Sequence, residues 1–266
     1  SYLAIKYGIT MDPDTNNNAT PGDAPNGDGI NEGDYVLSTG AVVWDYTAST
    51  GFLSDIFGIA RDDAGALAQV KSKSMEADGI VTIEAESEGD NVTASFVDMA
   101  DLEALMISND NEDTTTGTWV DSGSTDLDDA PTGATPATKF RVLNRTWKAF
   151  EAGDVGTVTV TFDEDDADFN VVEPIGMGGN IYLVRDTDDD GDMSDETPTL
   201  MTSGGSGIWT LSGVDFDVND SGAEAFTFAQ TQPVTPGAVQ DDIGFWFDAK
   251  QSVYSDAACT TLAVAN

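Results

Sequence analysis

The sequence predicts an all-β fold: one or two antiparallel β-sandwich domains, Ig-like or jelly-roll-like, with long acidic loops. Three observations carry this expectation. Apolar residues recur with a period of two, as in Gly156 to Phe162 (GTVTVTF), which places every second side chain on one face of a strand. The apolar runs are short and are separated by Gly, Asn, Asp and Ser, the residues that accept turn geometry. A period of 3.6 stands out at one internal place only, so sandwiches are favoured over βαβ units.

Taken in order, residues 1–34 form an N-terminal segment. Ser1 to Thr10 (SYLAIKYGIT) is apolar, and Asp12 to Asp34 is an Asn-, Gly- and Pro-rich loop. Residues 35–110 read as a first β domain, with strands at Tyr35–Leu37, Val42–Trp44 and Ile80–Ile83. Within it, Met99 to Ile107 (MADLEALMI) reads as a helix, or alternatively as a turn leading into a strand. Residues 111–138 read as a linker or long loop. The Thr-, Gly- and Asp-rich stretch there has only Trp119, Val120 and Leu127 as apolar anchors, too few for a core. Residues 139–230 read as a second β domain, with strands at Phe140–Leu143, Gly156–Phe162, Ile181–Val184, Ile208–Leu211 and Ala225–Phe228. Residues 231–266 add C-terminal strands around Ile243–Phe247.

The charge narrows the function. Forty-nine acidic residues face 10 basic ones, for a net charge of −39. Phosphate binding needs a basic face, so nucleic acid is excluded as a partner, and an anionic membrane surface would repel the chain. No stretch approaches the length of a transmembrane helix, and no signal peptide is visible. The chain opens on Ser1-Tyr2-Leu3, as expected if a leader has been removed or if this is a piece of something longer. The acidity fits an extracellular, ionic setting and equally a salt-adapted surface. With one cysteine, Cys259, no disulfide forms within the chain, so core packing, metal ions or neighbours must hold it.

The densest charge lies in Asp186-Thr187-Asp188-Asp189-Asp190-Gly191-Asp192-Met193-Ser194-Asp195-Glu196. Asp186, Asp188 and Asp190 alternate and Gly191 follows, which is the first half of a calcium loop: oxygen ligands at positions one, three and five, then a glycine for the sharp turn. The end departs from an EF-hand, because Thr197 stands where a bidentate Glu is expected. Asp192, Asp195 and Glu196 are the further candidate ligands. The alternative is a solvated acidic hairpin tip. A second candidate site runs from Asn26 to Asp34, with Asn26, Asp28 and Asp34 as oxygen donors; Ala24 at the first ligand position leaves a plain glycine-rich turn as the alternative. Asp215 to Asp220 is expected to cap a strand end.

No catalytic set is visible. The absence of histidine removes the commonest general base and the usual zinc and copper ligand. Arg61-Asp62-Asp63 reads as an arginine ordering a turn through a carboxylate. The tryptophans at 44, 119, 147, 209 and 246 are expected in the core, with a sugar platform as the alternative.

Several phrases together carry a resemblance. Ser1 to Thr10 looks like the closing helix and exit of a laminin-G-like, concanavalin-type lectin domain. Trp44-Asp45, Asp55 to Asp63, Gln69 with Lys71 to Ser74, Thr146 to Lys148, Glu151, Gly153 to Val160, Tyr182 to Val184 with its acidic loop, Val214 to Phe216 and Phe226 to Ala229 resemble the module that follows such lectin domains in large secreted bacterial surface proteins. Pro236 to Val239, Ile243 to Ala249 and Val253 to Asp256 resemble the opening strands of a next lectin domain. The resemblance implies no catalytic set. The family has no assigned activity; read together with the acidic loop, the resemblance leads to a secreted or cell-surface structural protein, calcium-stabilised, whose partners are copies of itself in a head-to-tail polymer or neighbouring surface-protein domains. Residues 231–266 would then be an intersubunit joint, or else an ordinary last hairpin. The alternative function is a carbohydrate-binding adhesin module with glycans as partners.

Overall fold

In the computed structural model the described residues are 2–11, 33–75, 79–112, 119–120, 140–163, 180–193, 196–216 and 223–231. A single short helix, α1 (Tyr2–Tyr7), precedes the strands. These are β1 (Tyr35–Val36), β2 (Val42–Trp44), β3 (Ser54–Asp62), β4 (Leu67–Gln69), β5 (Lys71–Lys73), β6 (Val81–Ala85), β7 (Ala104–Asn109), β8 (Trp119–Val120), β9 (Phe140–Val142), β10 (Trp147–Ala152), β11 (Val158–Asp163), β12 (Ile181–Arg185), β13 (Thr199–Leu200), β14 (Thr202–Gly205), β15 (Ile208–Val214) and β16 (Ala223–Thr231).

Among the described residues the period-two runs become two large antiparallel sheets and a two-stranded ribbon, β1–β2. The larger follows the order β13-β12-β16-β10-β7-β3-β4, with β8 and β9 attached beside β16. The smaller follows β14-β15-β11-β6-β5. Alternate residues of both face one another. Phe57, Ile59, Leu105, Ile107, Trp147, Leu183, Phe226 and Phe228 of the larger sheet and Val81, Ile83, Val158, Val160, Phe162 and Trp209 of the smaller belong to one buried core. Its aromatic centre is built across the gap. Phe162 reaches across to Phe228, 4.4 Å between ring centroids, and beside them within the larger sheet Trp147 stacks on Phe226 at 5.9 Å. The fold is an all-β sandwich, as its alternating pattern requires.

The chain passes from one sheet to the other at both lateral edges through a single residue. Val70 joins β4 to β5, and Met201 joins β13 to β14; both are buried. Asn91 satisfies the backbone at the first corner: its Oδ1 accepts from the amides of Val70 (2.8 Å) and Lys71 (2.9 Å), and its Nδ2 donates to the Lys71 carbonyl. At the second, the Met201 amide donates to the Ile181 carbonyl at 2.9 Å.

The central strands β3 and β7 break the alternation. Every residue of β7 is buried, as is almost every residue of β3. The reason is a second layer. α1 and the β1–β2 ribbon cover the outer face, where Ile5, Tyr35, Trp44, Ile56, Ala60, Ala104 and Met106 form a second core. β3 also carries a bulge between Ser54 and Phe57, where Asp55 adopts φ 50°. Its buried carboxylate accepts from Asn109 Nδ2 at 2.5 Å and lies 3.6 Å from the Arg145 guanidinium.

One expectation is corrected, and one stretch takes the second of its two readings. The division into a first β domain at 35–110 and a second at 139–230 does not hold, because strands from both ranges alternate within each sheet: β7 pairs with β10, and β6 pairs with β11. The compact unit instead runs from Ser1 to Gln232, and Pro233–Asn266 forms a second, which lies outside the described residues together with the expected strand at Ile243–Phe247. Most of 111–138 also lies outside them, so what holds across this stretch is the pairing of the strands on either side. Met99 to Ile107 follows its alternative reading, a turn leading into a strand, and not the helix. Its first half is a turn and Ala104–Asn109 is β7, because helical spacing loses to burial on both faces of a central strand. The long acidic loops fall largely outside the described residues.

Gly58 sits where β3 meets β7. A Cβ there would lie 2.6 Å from the Leu105 carbonyl oxygen and press on the Met106 sulfur. The sulfur can move; the backbone oxygen cannot. Gly58→Ala is therefore expected to destabilise by about 1–3 kcal/mol, the usual range for overpacking. A urea unfolding midpoint equal to that of the parent chain would refute this account of the β3–β7 contact.

Candidate metal centre

β12 ends at Arg185 and delivers Asp186 to the mouth of the sandwich. The Asp186 amide still donates to the Ala225 carbonyl at 2.9 Å, so its backbone remains tied to β16 while its side chain begins the loop. Asp186 is buried, 2% exposed, and its two carboxylate oxygens accept from the amides of Asp190 (3.2 Å) and Gly191 (3.0 Å). The fold-back needs left-handed backbone at two positions, Asp189 (φ 59°) and Gly191 (φ 82°). Glycine takes that conformation freely, and aspartate is among the few other residues that tolerate it.

The loop gathers its acids. One carboxylate oxygen from each of Asp186, Asp188 and Asp190 lies within 4.8 Å of the others, the one such group among the described residues. Asp188 and Asp190 are exposed, so the cluster opens outward from a buried base. Burial pushes the Asp186 carboxyl above the ordinary aspartate range, although the amides of Gly191 and Asp190 pull it back. Three oxygens at this spacing suit a hard cation that takes oxygen ligands.

The remaining predicted ligands divide. The exposed Asp192 turns its amide toward Asp190 Oδ1 at 2.7 Å and stands outside the group of three. Glu196 is buried and closes the loop from behind: Oε1 accepts from the Thr187 amide at 2.6 Å and Oε2 from the Thr187 hydroxyl at 2.9 Å. Asp195, Asn26 and Asp28 lie outside the described residues. Asp34 is buried beside the β1–β2 ribbon, where Oδ1 accepts from the Tyr46 amide at 2.9 Å.

Arg61 orders a turn, as its sequence context predicts. Nε and Nη2 hold the two oxygens of Asp63 at 2.9 and 3.0 Å, Nη1 donates to the Met99 carbonyl, and the guanidinium lies 4.5 Å from the Phe96 ring centroid. Trp44, Trp147 and Trp209 are buried, so none of these three forms an exposed sugar platform.

Glu224 was not legible as a site residue. It sits on β16 in phase with Phe226 and Phe228, which face the core. The same phase drives its carboxylate inward, where it is fully buried and neither oxygen accepts a hydrogen bond. Arg185 Nη1 stands 3.4 Å from Oε1 and also donates to the Asp215 carbonyl. Burial drives the Glu224 carboxyl up to about 8; Arg185 opposes the shift, and Glu196, Asp186 and Asp215 add to it. The detectable signal in the sequence was a glutamate at an inward position of a period-two run, AEAFTFAQ.

This has a pH consequence. The Glu224 carboxyl titrates near 8 in the folded chain and near 4.5 when unfolded, so between these values the folded state holds a proton that unfolding releases. Stability then falls as pH rises through that window and levels off above it. With a chelator present, the melting temperature should fall between pH 6 and pH 8, and Glu224→Gln should flatten that fall. An unaltered slope in the variant would show that another group sets it.

No curated protein and no solved structure matches the chain. The family described as Domain of unknown function (DUF8202) matches residues 1–220, a range that holds α1, both faces of the core up to β15, and the whole Asp186 loop. With most of its length matched, this chain belongs to that family.

Proposed function

We propose that this protein is a structural module of the bacterial exterior, a calcium-stabilised β-sandwich that assembles with copies of itself or with neighbouring surface-protein domains into a filament, stalk or surface layer. The observation that carries the reading is the convergence of Asp186, Asp188 and Asp190 within 4.8 Å on a loop that folds back through Gly191. Without a cation, three carboxylates at that distance repel one another in a chain already at −39. With one, repulsion becomes ligation, and the loop is tied to β12. The resemblance to modules that follow lectin domains in secreted surface proteins supports the location and the self-associating role. Extracellular calcium is a suitable ion, because weak oxygen-rich sites fill at its ambient concentration.

An ion bound only by the folded state adds stability by mass action, about 2.7 kcal/mol at a hundredfold excess over Kd. Calcium should therefore raise the melting temperature by several degrees and a chelator should reverse it. Asp188→Ala and Asp190→Ala should each reduce the calcium increment, and both lie on the exposed side of the loop, where truncation leaves the core intact. Equal melting with calcium and with chelator would reduce the loop to a charged hairpin tip.

Assembly has its own test. A chain lacking residues 240–266 keeps the whole Ser1–Gln232 unit and is expected to melt as the parent does but to form no polymers in electron micrographs. Polymers formed by the truncated chain would place the joint elsewhere.

A further inference from the structure

Four of the seven large apolar side chains exposed among the described residues gather at the end of α1. Leu3 and Tyr7 stand four residues apart and share the helix face turned away from the buried Ala4 and Ile5. The helix closes with the Ile9 amide donating to the Ala4 carbonyl at 3.0 Å and the Gly8 amide to the Ile5 carbonyl at 3.4 Å. This kind of terminus folds Ile9 back toward the helix's own apolar side chains. Met75, just beyond β5, is tied to the same turn, because its amide donates to the Gly8 carbonyl at 3.0 Å. Leu3, Tyr7, Ile9 and Met75 are each between 45% and 70% exposed. Their clustering makes an apolar patch, the surface feature that marks a docking site.

The charge beside the patch selects what docks. Lys6 is exposed and lies three residues from Leu3, so the two are neighbours on the helix. Among the described residues Lys6 meets the Tyr2 hydroxyl at 3.1 Å and the Tyr2 ring at 5.4 Å, and no carboxylate. Other cations are matched within the fold: Arg61 with Asp63, Lys71 with Glu84, Arg145 with Asp55 and Arg185 with Glu224. In a chain with 49 acids, a lysine left to a phenol is an exception, and it favours an apolar partner flanked by acid. The densest apolar run outside the described residues has that character. In Asp241-Asp242-Ile243-Gly244-Phe245-Trp246-Phe247-Asp248, four large apolar side chains fall within five residues and three carboxylates bracket them.

We propose that the patch of Leu3, Tyr7, Ile9 and Met75 is the acceptor half of the joint between copies, and that Ile243–Phe247 of a second copy seats on it with its flanking carboxylates toward Lys6. This rests on the reading of the protein as self-assembling, and it names the surface that receives the C-terminal segment. Patch and segment belong to different parts of the chain, so the contact is heterologous. Each added copy then leaves one patch and one segment open, and growth continues as a filament.

The test uses full-length chains in calcium chloride, with assembly read by sedimentation and electron microscopy and folding by melting temperature. One variant combines Leu3→Glu with Met75→Glu, and a second combines Phe245→Ser with Phe247→Ser. Each alone should stay monomeric, and the patch variant should melt as the parent does, because both altered side chains are exposed. Mixed in equal amounts, the two should form dimers of one copy each and nothing longer, since each pair holds one intact patch and one intact segment. Lys6→Glu should raise the concentration needed for assembly, and it carries the comparison if the double patch variant fails to fold. A patch variant, Lys6→Glu included, that assembles at the parental concentration would overturn the inference and leave self-assembly standing through another surface. Monomers alone in the mixture would also overturn it, because patch and segment would then not be each other's partners. A parent chain that stays monomeric would overturn both readings.

Discussion

The sandwich depends on two corners. At Val70 and at Met201 the chain leaves one sheet and enters the other within a single residue, and these corners lie at opposite lateral edges. An open sandwich has four edge strands, each with a row of unpaired backbone groups. Here edge strands continue into one another in pairs, β4 into β5 and β13 into β14, so the chain itself, not a hydrogen-bond ladder, ties the two sheets together at both sides. Such a corner strips the backbone of ladder partners just where it is buried. Asn91 makes up the loss at Val70, offering one acceptor to two successive amides and one donor to a carbonyl. The closure fixes the register of both edges and hence which residues of every strand face inward.

From that closure follows the position of the large sheet's centre. With one face sealed against the smaller sheet, only the opposite face of β3 and β7 remains for α1 and the β1–β2 ribbon. These two strands are therefore buried on both sides. The helix is too short to stand alone. It is held by Ala4 and Ile5 in the second core, and by the Tyr35 hydroxyl, which donates to the Ile9 carbonyl and accepts from the Met11 amide just beyond the helix. Buried apolar contact on the large sheet, not helix propensity, keeps this segment ordered.

The excess of acid is not confined to the surface. Glu88 is fully buried and gathers three amides of the 97–99 turn; Glu86 accepts from the Gly213 amide and from the hydroxyls of Thr157 and Thr159, which holds its carboxyl below the usual range and joins the edge of β11 to β15. In these places a carboxylate does the work that a backbone ladder or a basic side chain would do elsewhere. Because a carboxylate accepts several bonds, a chain with 10 cations can still organise its turns. The Asp186 loop extends the same habit: its first carboxylate holds two amides of its own turn and still presents oxygens beside Asp188 and Asp190.

The sequence by itself determined the fold class and most strands, because alternation with a period of two survives wherever one face meets the core, as in Gly156 to Phe162 and Ile181 to Val184. It also determined the heart of the loop, since Asp186, Asp188, Asp190 and Gly191 are neighbours in the chain and local backbone geometry brings them together. It failed where burial came from two sides. Met99 to Ile107 read as helix or as turn and strand alike because a doubly covered strand has no polar face to display, and two β domains were expected because a long polar stretch separates strands that pair across it. Only the tertiary structure decided that Glu224 is fully buried beside one guanidinium. Arg185 reaches it from β12, a relation between distant segments that no local spacing encodes.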